Sequence, residues 1–390
     1  MRKILVLNLG STSFKLKLFE IDKDEKLLAS GSVEIGENGK SKISANNIVL
    51  EANCSCLCHA DAMEHCIQMI RKAGVVVDLN KVDAIGYKAV HGGAISGARI
   101  IDEMLLAEME KMIPFAPAHN PVYLSMMIHI REKYPLITQV ACFETSFHQT
   151  QPLYRAVYGV PYEWIQQFGI RRYGFHGSSH SFIAWKMSQA APRLKRIISC
   201  HLGGSSSLCA IQDGKSAAAS MGVTPQSGLF HNNRVGDLDV FCLPTLAEKM
   251  GGIDNVMSIL SKESGFKGLS SVSNDLREVI TAADYGNSQA KLAIEAFCDN
   301  IVGYIGMYTA YMGGLDAIVF TGGIGFNSAR IRSDVCNRLG FINVKLNEEA
   351  NIAGNEGCIS GTGSGISVWI IETNEELMVA RGCMDCLNNA

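Results

Sequence analysis

The sequence predicts an α/β protein with mixed sheets, built as two related halves, and three observations carry that prediction. Two apolar strand–turn–strand units break at tiny residues: "ILVLNLGSTSFKLKLF" at 4–19 and "IISCHLGGSSSLCAI" at 197–211. Stretches of helical and strand period alternate between and after them. A third Gly-rich segment, "FTGGIGFN" at 320–327, follows a short apolar strand. Tight hairpins need the positive φ angles that glycine supplies, and that explains one such turn in isolation. Repetition in both halves favours a second reading, in which backbone N–H and Ser/Thr hydroxyl groups cradle phosphate oxygens. The G-x-x-x-x-G-K-[ST] spacing does not occur, so this is no Walker loop.

In chain order, residues 4–8, 14–21, 27–33 and 43–50 read as consecutive strands separated by turn residues, as in a meander. Residues 60–72 have helical spacing and 83–90 strand character. Residues 102–112 read as a helix with Asp102 as N-cap. A strand at 136–143 and a helix at 178–188 follow. Strands at 196–199 and 206–212 flank the second hydroxyl-rich turn. A helical region at 273–311, interrupted near 285–287, leads into a buried strand at 315–321. Residues 301–326 are nearly uncharged, yet they contain Asp316 and several glycines. They divide into helix, Gly-Gly turn and strand, and read as core rather than as a membrane span.

A chain of 390 residues suggests two or three domains, and 47% hydrophobic residues supply large cores. The net charge of −3 leaves no basic footprint for nucleic acid. Met1, Arg2 and Lys3 precede a run too short and too β-branched for a signal peptide. Thirteen scattered cysteines favour free thiols in a reducing cytosol. Two cysteine groups stand out: Cys54, Cys56, Cys58, His59, His65 and Cys66, and Cys383 with Cys386. C-x-C-x-C lacks the usual zinc spacing, and alternating thiols on a strand followed by a buried-thiol helix is the plainer account.

Eleven strings occur in an order that identifies a family: "NLGSTSFK" (8–15), "YKAVHGG" (87–93), "FAPAHNP" (115–121), "FETSFHQTQP" (143–152), "RRYGFHGSSH" (171–180), "HLGGSSS" (201–207), "SMGVTPQSGL" (220–229), "NRVGDLD" (233–239), "SNDLR" (273–277), "FTGGIGFN" (320–327) and "TNEEL" (373–377). On these strings the chain resembles the acetate kinases, or a close relative in the acetate/propionate kinase group. The resemblance implies a duplicated actin-like/sugar-kinase-like ATPase fold with two domains, mixed sheets and a central cleft. It places an N-terminal acyl-kinase domain at 1–150, completed by 372–390, and a nucleotide-binding and dimerisation domain at 151–371. The implied reaction is reversible phosphoryl transfer from ATP to acetate, propionate or a slightly larger acid, giving ADP and an acyl phosphate. Mg²⁺ or Mn²⁺, a cytoplasmic homodimer, and neither nucleic-acid nor membrane partners go with it. The alternatives are a related kinase with an altered acid or phosphoryl donor, and a catalytically weak ligand-binding relative.

Two anions must meet in such a reaction, so cations have to be in place beforehand. The substrate carboxylate is already ionised at neutral pH and needs no general base. By resemblance, Asn8 and Glu375 match metal-site residues, and Lys15 a lysine near the nucleotide phosphates. Arg234 and His176 match groups that stabilise or contact the phosphoryl group in flight, His119 a further active-site histidine, and Glu144 a catalytic carboxylate. Lys88, Val90, Ala118, Phe175 and Pro225 match the acid-binding positions. His201, Leu202, Gly203, Gly204 and Ser205 supply the second phosphate loop. Asp275, Leu276 and Arg277 lie near adenosine, and Gly322, Gly323, Ile324, Gly325 and Phe326 form the loop under the nucleoside. On local sequence alone, Lys15 reads as an outward strand residue, Arg234 as a loop cation, Glu375 as a helix-start glutamate and each histidine as a structural one.

Five positions depart from the family's pattern. Lys88 replaces an arginine and loses its bidentate fork. Glu144 replaces Asp, and its longer reach compensates for Lys88 if the two pair. Ala118 replaces Leu and enlarges the acyl pocket. Gly204 replaces Asn, and Phe326 replaces Glu.

Overall fold

The computed structural model describes residues 1–10, 12–75 and 77–389, so Ser11 of the first hydroxyl-rich turn lies outside the described residues. The chain divides into two units, Met1–Phe147 with Asn374–Ala390, and His148–Thr373.

The first unit opens with an antiparallel meander of β1 (Arg2–Leu9), β2 (Ser13–Ile21), β3 (Glu25–Glu34), β4 (Gly36–Ala45) and β5 (Ile48–Cys56). Period-two alternation sends Phe14, Leu16 and Leu18 into the core and leaves Lys15 exposed. The stretch 43–50, expected as one strand, is broken at Asn46 and Asn47, with φ of 50° and 61°. Two successive left-handed residues make the tight turn whose twist suits a hairpin, and asparagine tolerates that conformation. The chain continues through α1 (His59–Lys72), β6 (Ala84–Ala89), β7 (Ala98–Ile100), α2 (Glu103–Lys111), α3 (Asn120–Lys133) and β8 (Thr138–Phe143). Asp102 caps α2 as expected, accepting from the Leu105 N–H at 2.8 Å. The eight-stranded sheet has the order β5-β4-β3-β2-β1-β6-β8-β7, with β1, β6 and β8 parallel. Leu5, Leu7, Ile85 and Tyr87 face the core under α1 and α3. The C-terminal helix, Glu375–Asn389, packs on the opposite face over β1, β6 and β8.

The second unit carries β9 (Arg196–His201), β10 (Ser207–Gln212), β11 (Lys215–Ala219), β12 (Ala317–Thr321), β13 (Gly357–Cys358) and β14 (Ser367–Ile370), in the order β11-β10-β9-β12-β14-β13. Its pairings run antiparallel, antiparallel, parallel, parallel, antiparallel. The run β3-β2-β1-β6-β8-β7 has the same sequence of senses. The duplication read from two hydroxyl-rich turns is therefore a duplication of six strands, to which the first unit adds β4 and β5. The helices that position the site are α4 (Gly177–Ala190), α5 (Leu276–Asp284), α6 (Ser288–Tyr311), α7 (Gly322–Asn327) and α8 (Ala329–Arg338). The expected interruption near 285–287 separates α5 from α6, where Asn287 caps by accepting from the Ala290 N–H at 2.9 Å.

All thirteen cysteines are free thiols. Cys66 on α1 fills the space that a Cβ at Gly31 would need, and Cys383 on the C-terminal helix does the same over Gly86. Burial pushes the Cys66 thiol up to about 12, so it stays protonated. Cys58 is the N-cap of α1. Cys66 and Cys383, one from each cysteine group, are thus packing elements of the first unit.

Candidate active site

In the first unit, the carboxyl ends of three parallel strands lie side by side, the usual location of a site in an open α/β sheet. Leu7 is in register with Tyr87 and Lys88 with Cys142. Asn8 on β1, Lys88 on β6 and Glu144 directly after β8 are thereby grouped. The first turn of the C-terminal helix brings Glu375 and Glu376 to them. Asn374, just before that turn, holds it by accepting from the Leu377 N–H at 3.3 Å.

The result is a charged cluster. Lys88 Nζ lies 2.5 Å from Glu375 Oε2 and 3.9 Å from Glu144 Oε2. The pairing anticipated with Glu144 is thus the longer of two, and the closer partner is the carboxylate assigned to the metal. Burial opposes the charge on Lys88, but Glu144 and Glu375 outweigh it and hold the ammonium above its ordinary range. Lys17 pairs with Glu376 at 2.9 Å, and Asn8 Nδ2 donates to Glu376 Oε1 at 3.1 Å. Neither Lys17 nor Glu376 was among the residues picked from sequence. Their signals were the i, i+2 repeat of lysine on β2 and the second glutamate of "TNEEL".

Burial works against Glu376, yet Lys17, Lys88 and Asn8 together hold its carboxyl at about 2, below the ordinary 4.5. A depressed carboxyl contributes stability that is present above 4.5 and lost as pH falls through about 2. Glu376→Gln is expected to destabilise the protein at neutral pH by roughly 2–3 kcal/mol. The gap to the wild type should close as urea melts are taken from neutrality to about pH 2.

Other first-unit residues are placed less centrally. Lys15 is exposed on the meander, lining a groove of about 730 Å³ with Ser13, Ser32, Lys40 and Lys42. Val90 packs half-buried against the core, Ala118 is exposed, and half-buried His119 stands at the N-terminus of α3. The buried Asn120 amide anchors this loop, donating to the carbonyls of His91 at 2.9 Å and Met109 at 2.8 Å.

In the second unit, His176 adopts φ 55° where the chain enters α4. Its ring stacks on that of His201, with centroids 4.2 Å apart and planes 24° apart. Its Nδ1 lies 2.8 Å from Ser207 Oγ, which is also 2.9 Å from His180 Nε2. Burial keeps His180 neutral. Arg234 is half-buried and donates to Ser205 Oγ at 3.2 Å and the Pro225 carbonyl at 3.3 Å. Burial lowers its pKa. Phe175 is buried, and its carbonyl lies 2.9 Å from His148 Nε2.

A cavity of about 960 Å³ in this unit is lined by Gly203, Gly204, residues 274–277, Gly323 and Ile324, among others. The second loop, the segment at 275–277 and the third Gly-rich segment therefore share one wall. The third segment is a helix, α7, rather than a loop. Gly322 has φ +75°, and a Cβ there would lie 2.6 Å from the Leu202 carbonyl oxygen, so this close approach requires glycine. The Ile324 and Gly325 N–H groups donate to the same carbonyl at 2.8 and 3.1 Å. Leu202 and Gly325 are buried, and Phe326 packs partly buried against the core, off the cavity wall. Asp275 caps α5 and pairs with exposed Arg277 at 2.5 Å. Arg332 was also missed: fully buried, it donates to the carbonyls of Gly325 and Phe326 and to Asn351, bracing α7 from behind.

A sequence model of the acetokinase family matches residues 3–381. The acetate kinase of Carboxydothermus hydrogenoformans is 40% identical, covering 99% of this chain and 100% of its own length. The propionate kinase of Citrobacter rodentium is also 40% identical, with 98% and 96% covered. Among solved structures, the acetate kinase of Porphyromonas gingivalis superposes with a TM-score of 0.88 at 36% identity over 99% of this chain and 100% of that one. The propionate kinase of Francisella tularensis gives 0.89 at 35% identity over 98% and 99%.

Proposed function

The chain belongs to the acetokinase family, and from that premise we propose that it transfers the γ-phosphoryl group of ATP to a short-chain carboxylate, reversibly, giving an acyl phosphate and ADP. The observation that carries the reading is the second unit's cavity, where glycine backbone from the loop at 203–204 and from the start of α7 meets the capped start of α5 on one wall. This suits a nucleotide whose phosphates need close backbone approach.

Catalysis here is charge placement. Arg234 and His176 stabilise the transferring phosphoryl group, with Glu144 and His119 orienting the reactants, and Lys88 holds the acid's carboxylate. Val90, Ala118, Phe175 and Pro225 shape the acyl pocket. The donors on the first unit fit a hard divalent cation: the Asn8 nitrogen is committed to Glu376, which leaves its amide oxygen, with Glu375, for Mg²⁺ or Mn²⁺. Among the described residues no three His, Cys, Asp or Glu side chains are set to hold a metal, which suits a cation completed by water and phosphate. When bound, the ion supplies charge neutralisation at the phosphates. No helix among the described residues is long and apolar enough to cross a membrane. We place the enzyme in the cytoplasm as a homodimer.

Hydroxamate trapping of acyl phosphate tests the reading, with acetate, propionate and butyrate as acceptors and ATP, GTP and pyrophosphate as donors. Product with ATP and a short acid is expected; its absence with every acid overturns the proposal. The small side chain at Ala118 should favour propionate or butyrate over acetate. At about 0.8 kcal/mol per buried methylene, Ala118→Leu should cut kcat/KM for butyrate relative to acetate roughly ten- to fifteenfold. An unchanged ratio would remove Ala118 from the acyl pocket.

A further inference from the structure

Two lysines, Lys17 and Lys88, face three carboxylates, Glu144, Glu375 and Glu376, in the first-unit cluster. A substrate carboxylate entering it meets repulsion, and the ammonium it needs already holds a carboxylate at 2.5 Å. We propose that Glu375 stands in for the substrate carboxylate on Lys88, so that the acid binds well only after a divalent cation has drawn Glu375 away. The inference rests on the proposed kinase reading, which assigns Lys88 to the acid and Glu375 to the cation.

Three features of this chain support it. The competitor is tethered on the first turn of a helix that packs on the strand carrying Lys88, so its effective concentration is in the millimolar range or above. Lys88 is a point donor on one flexible stem, and it cannot serve two carboxylates with the parallel fork that an arginine offers. Glu376 is fixed separately by Lys17 and Asn8, so release of Glu375 leaves the rest of the cluster in place. A Lys88 closed on Glu375 nine-tenths of the time would weaken the acid about tenfold, because apparent affinity scales with the competent fraction. Linkage makes the effect mutual: the acid must tighten the cation by the same factor.

The test is a ¹³C-propionate titration of the full-length protein with ADP present, in Mg²⁺ or in EDTA, where no turnover is possible. Wild type should bind propionate about tenfold or more tightly in Mg²⁺. Mn²⁺ affinity followed by electron paramagnetic resonance should rise by the same factor when propionate is added. Glu375→Gln should bind propionate in EDTA as tightly as wild type does in Mg²⁺, and Lys88→Met should lose the dependence altogether. Equal wild-type affinities in Mg²⁺ and EDTA, or weaker metal-free binding by a folded Glu375→Gln protein, overturn the inference. If that variant fails to fold, the wild-type pair of titrations still decides. A wild type that forms acyl phosphate yet binds propionate equally in both conditions refutes only this inference; one that forms none refutes the kinase reading.

Discussion

Arg234→Ala is expected to lower kcat for acyl phosphate formation by about a thousandfold while leaving the thermal melt nearly unchanged. Arg234 is a half-buried cation whose two hydrogen bonds, at 3.2 and 3.3 Å, go to a serine hydroxyl and a backbone carbonyl. Neither acceptor is charged, and burial pulls its pKa down, so the fold does not need the charge there. The guanidinium also helps hold the buried His231 ring neutral, at about 3, after burial itself. Among the described residues no carboxylate pairs with Arg234, and a cation so kept beside Ser205 of the proposed phosphate loop is poised for an anion that arrives later. Its loss should therefore appear in kcat more than in KM, because the interaction is strongest when charge develops on the transferring group. Arg234→Lys should recover only part of the rate, lacking the planar fork. A melt depressed by many degrees, or turnover within threefold of wild type, would make Arg234 a structural residue instead.

The legible part of this protein was the part written in periodicity and in short strings. The meander, the capped helix at 103–111, the interruption between α5 and α6 and the duplicated hairpins all follow from alternation, caps and turn residues within a few positions of each other. The hairpin at Asn46 and Asn47 was lost because alternation continues through it on both sides, and only the Asn-Asn pair marks the reversal. The helix α3 is masked in the sequence by Pro121, which sits harmlessly in its first turn, and by polar Asn120 in its buried set. The site was legible residue by residue but not in its pairings. That Lys88 closes on Glu375 more tightly than on Glu144 depends on a partner 287 positions away in the chain and on where the last helix docks. Lys17, Glu376 and Arg332 carry no local mark of function. Their roles exist only once strand register and helix packing bring carboxylates and carbonyls to them.

The second large effect belongs to Arg332, which no reacting group touches. Arg332→Leu should lower the melting transition of the second unit by about 10 °C and raise KM for the nucleotide, with the first unit's transition unaffected. The side chain is fully buried and engages four of its five N–H groups: Nε donates to Asn351 Oδ1 at 2.7 Å, Nη2 to the Asn351 carbonyl at 2.7 Å, and Nη1 to the Gly325 and Phe326 carbonyls at 2.9 and 2.7 Å. Leucine removes every donor and leaves the acceptors in a dry interior, at about 1–3 kcal/mol for each one stranded. Relaxation recovers part of this, so a net loss of roughly 3–5 kcal/mol is reasonable. For a unit of this size, each kcal/mol moves the midpoint by about 2–4 °C. The kinetic consequence follows from position, because Gly323 and Ile324 on the same short helix line the cavity. Without the brace, α7 is held chiefly by two N–H bonds to the Leu202 carbonyl, and the backbone proposed to approach the nucleotide is no longer fixed. Arg332→Lys should fall almost as far, since an ammonium cannot span acceptors on both α7 and Asn351. A variant that melts like wild type while its nucleotide KM rises would mean that α7 is held by packing alone and that Arg332 acts on the nucleotide by its charge.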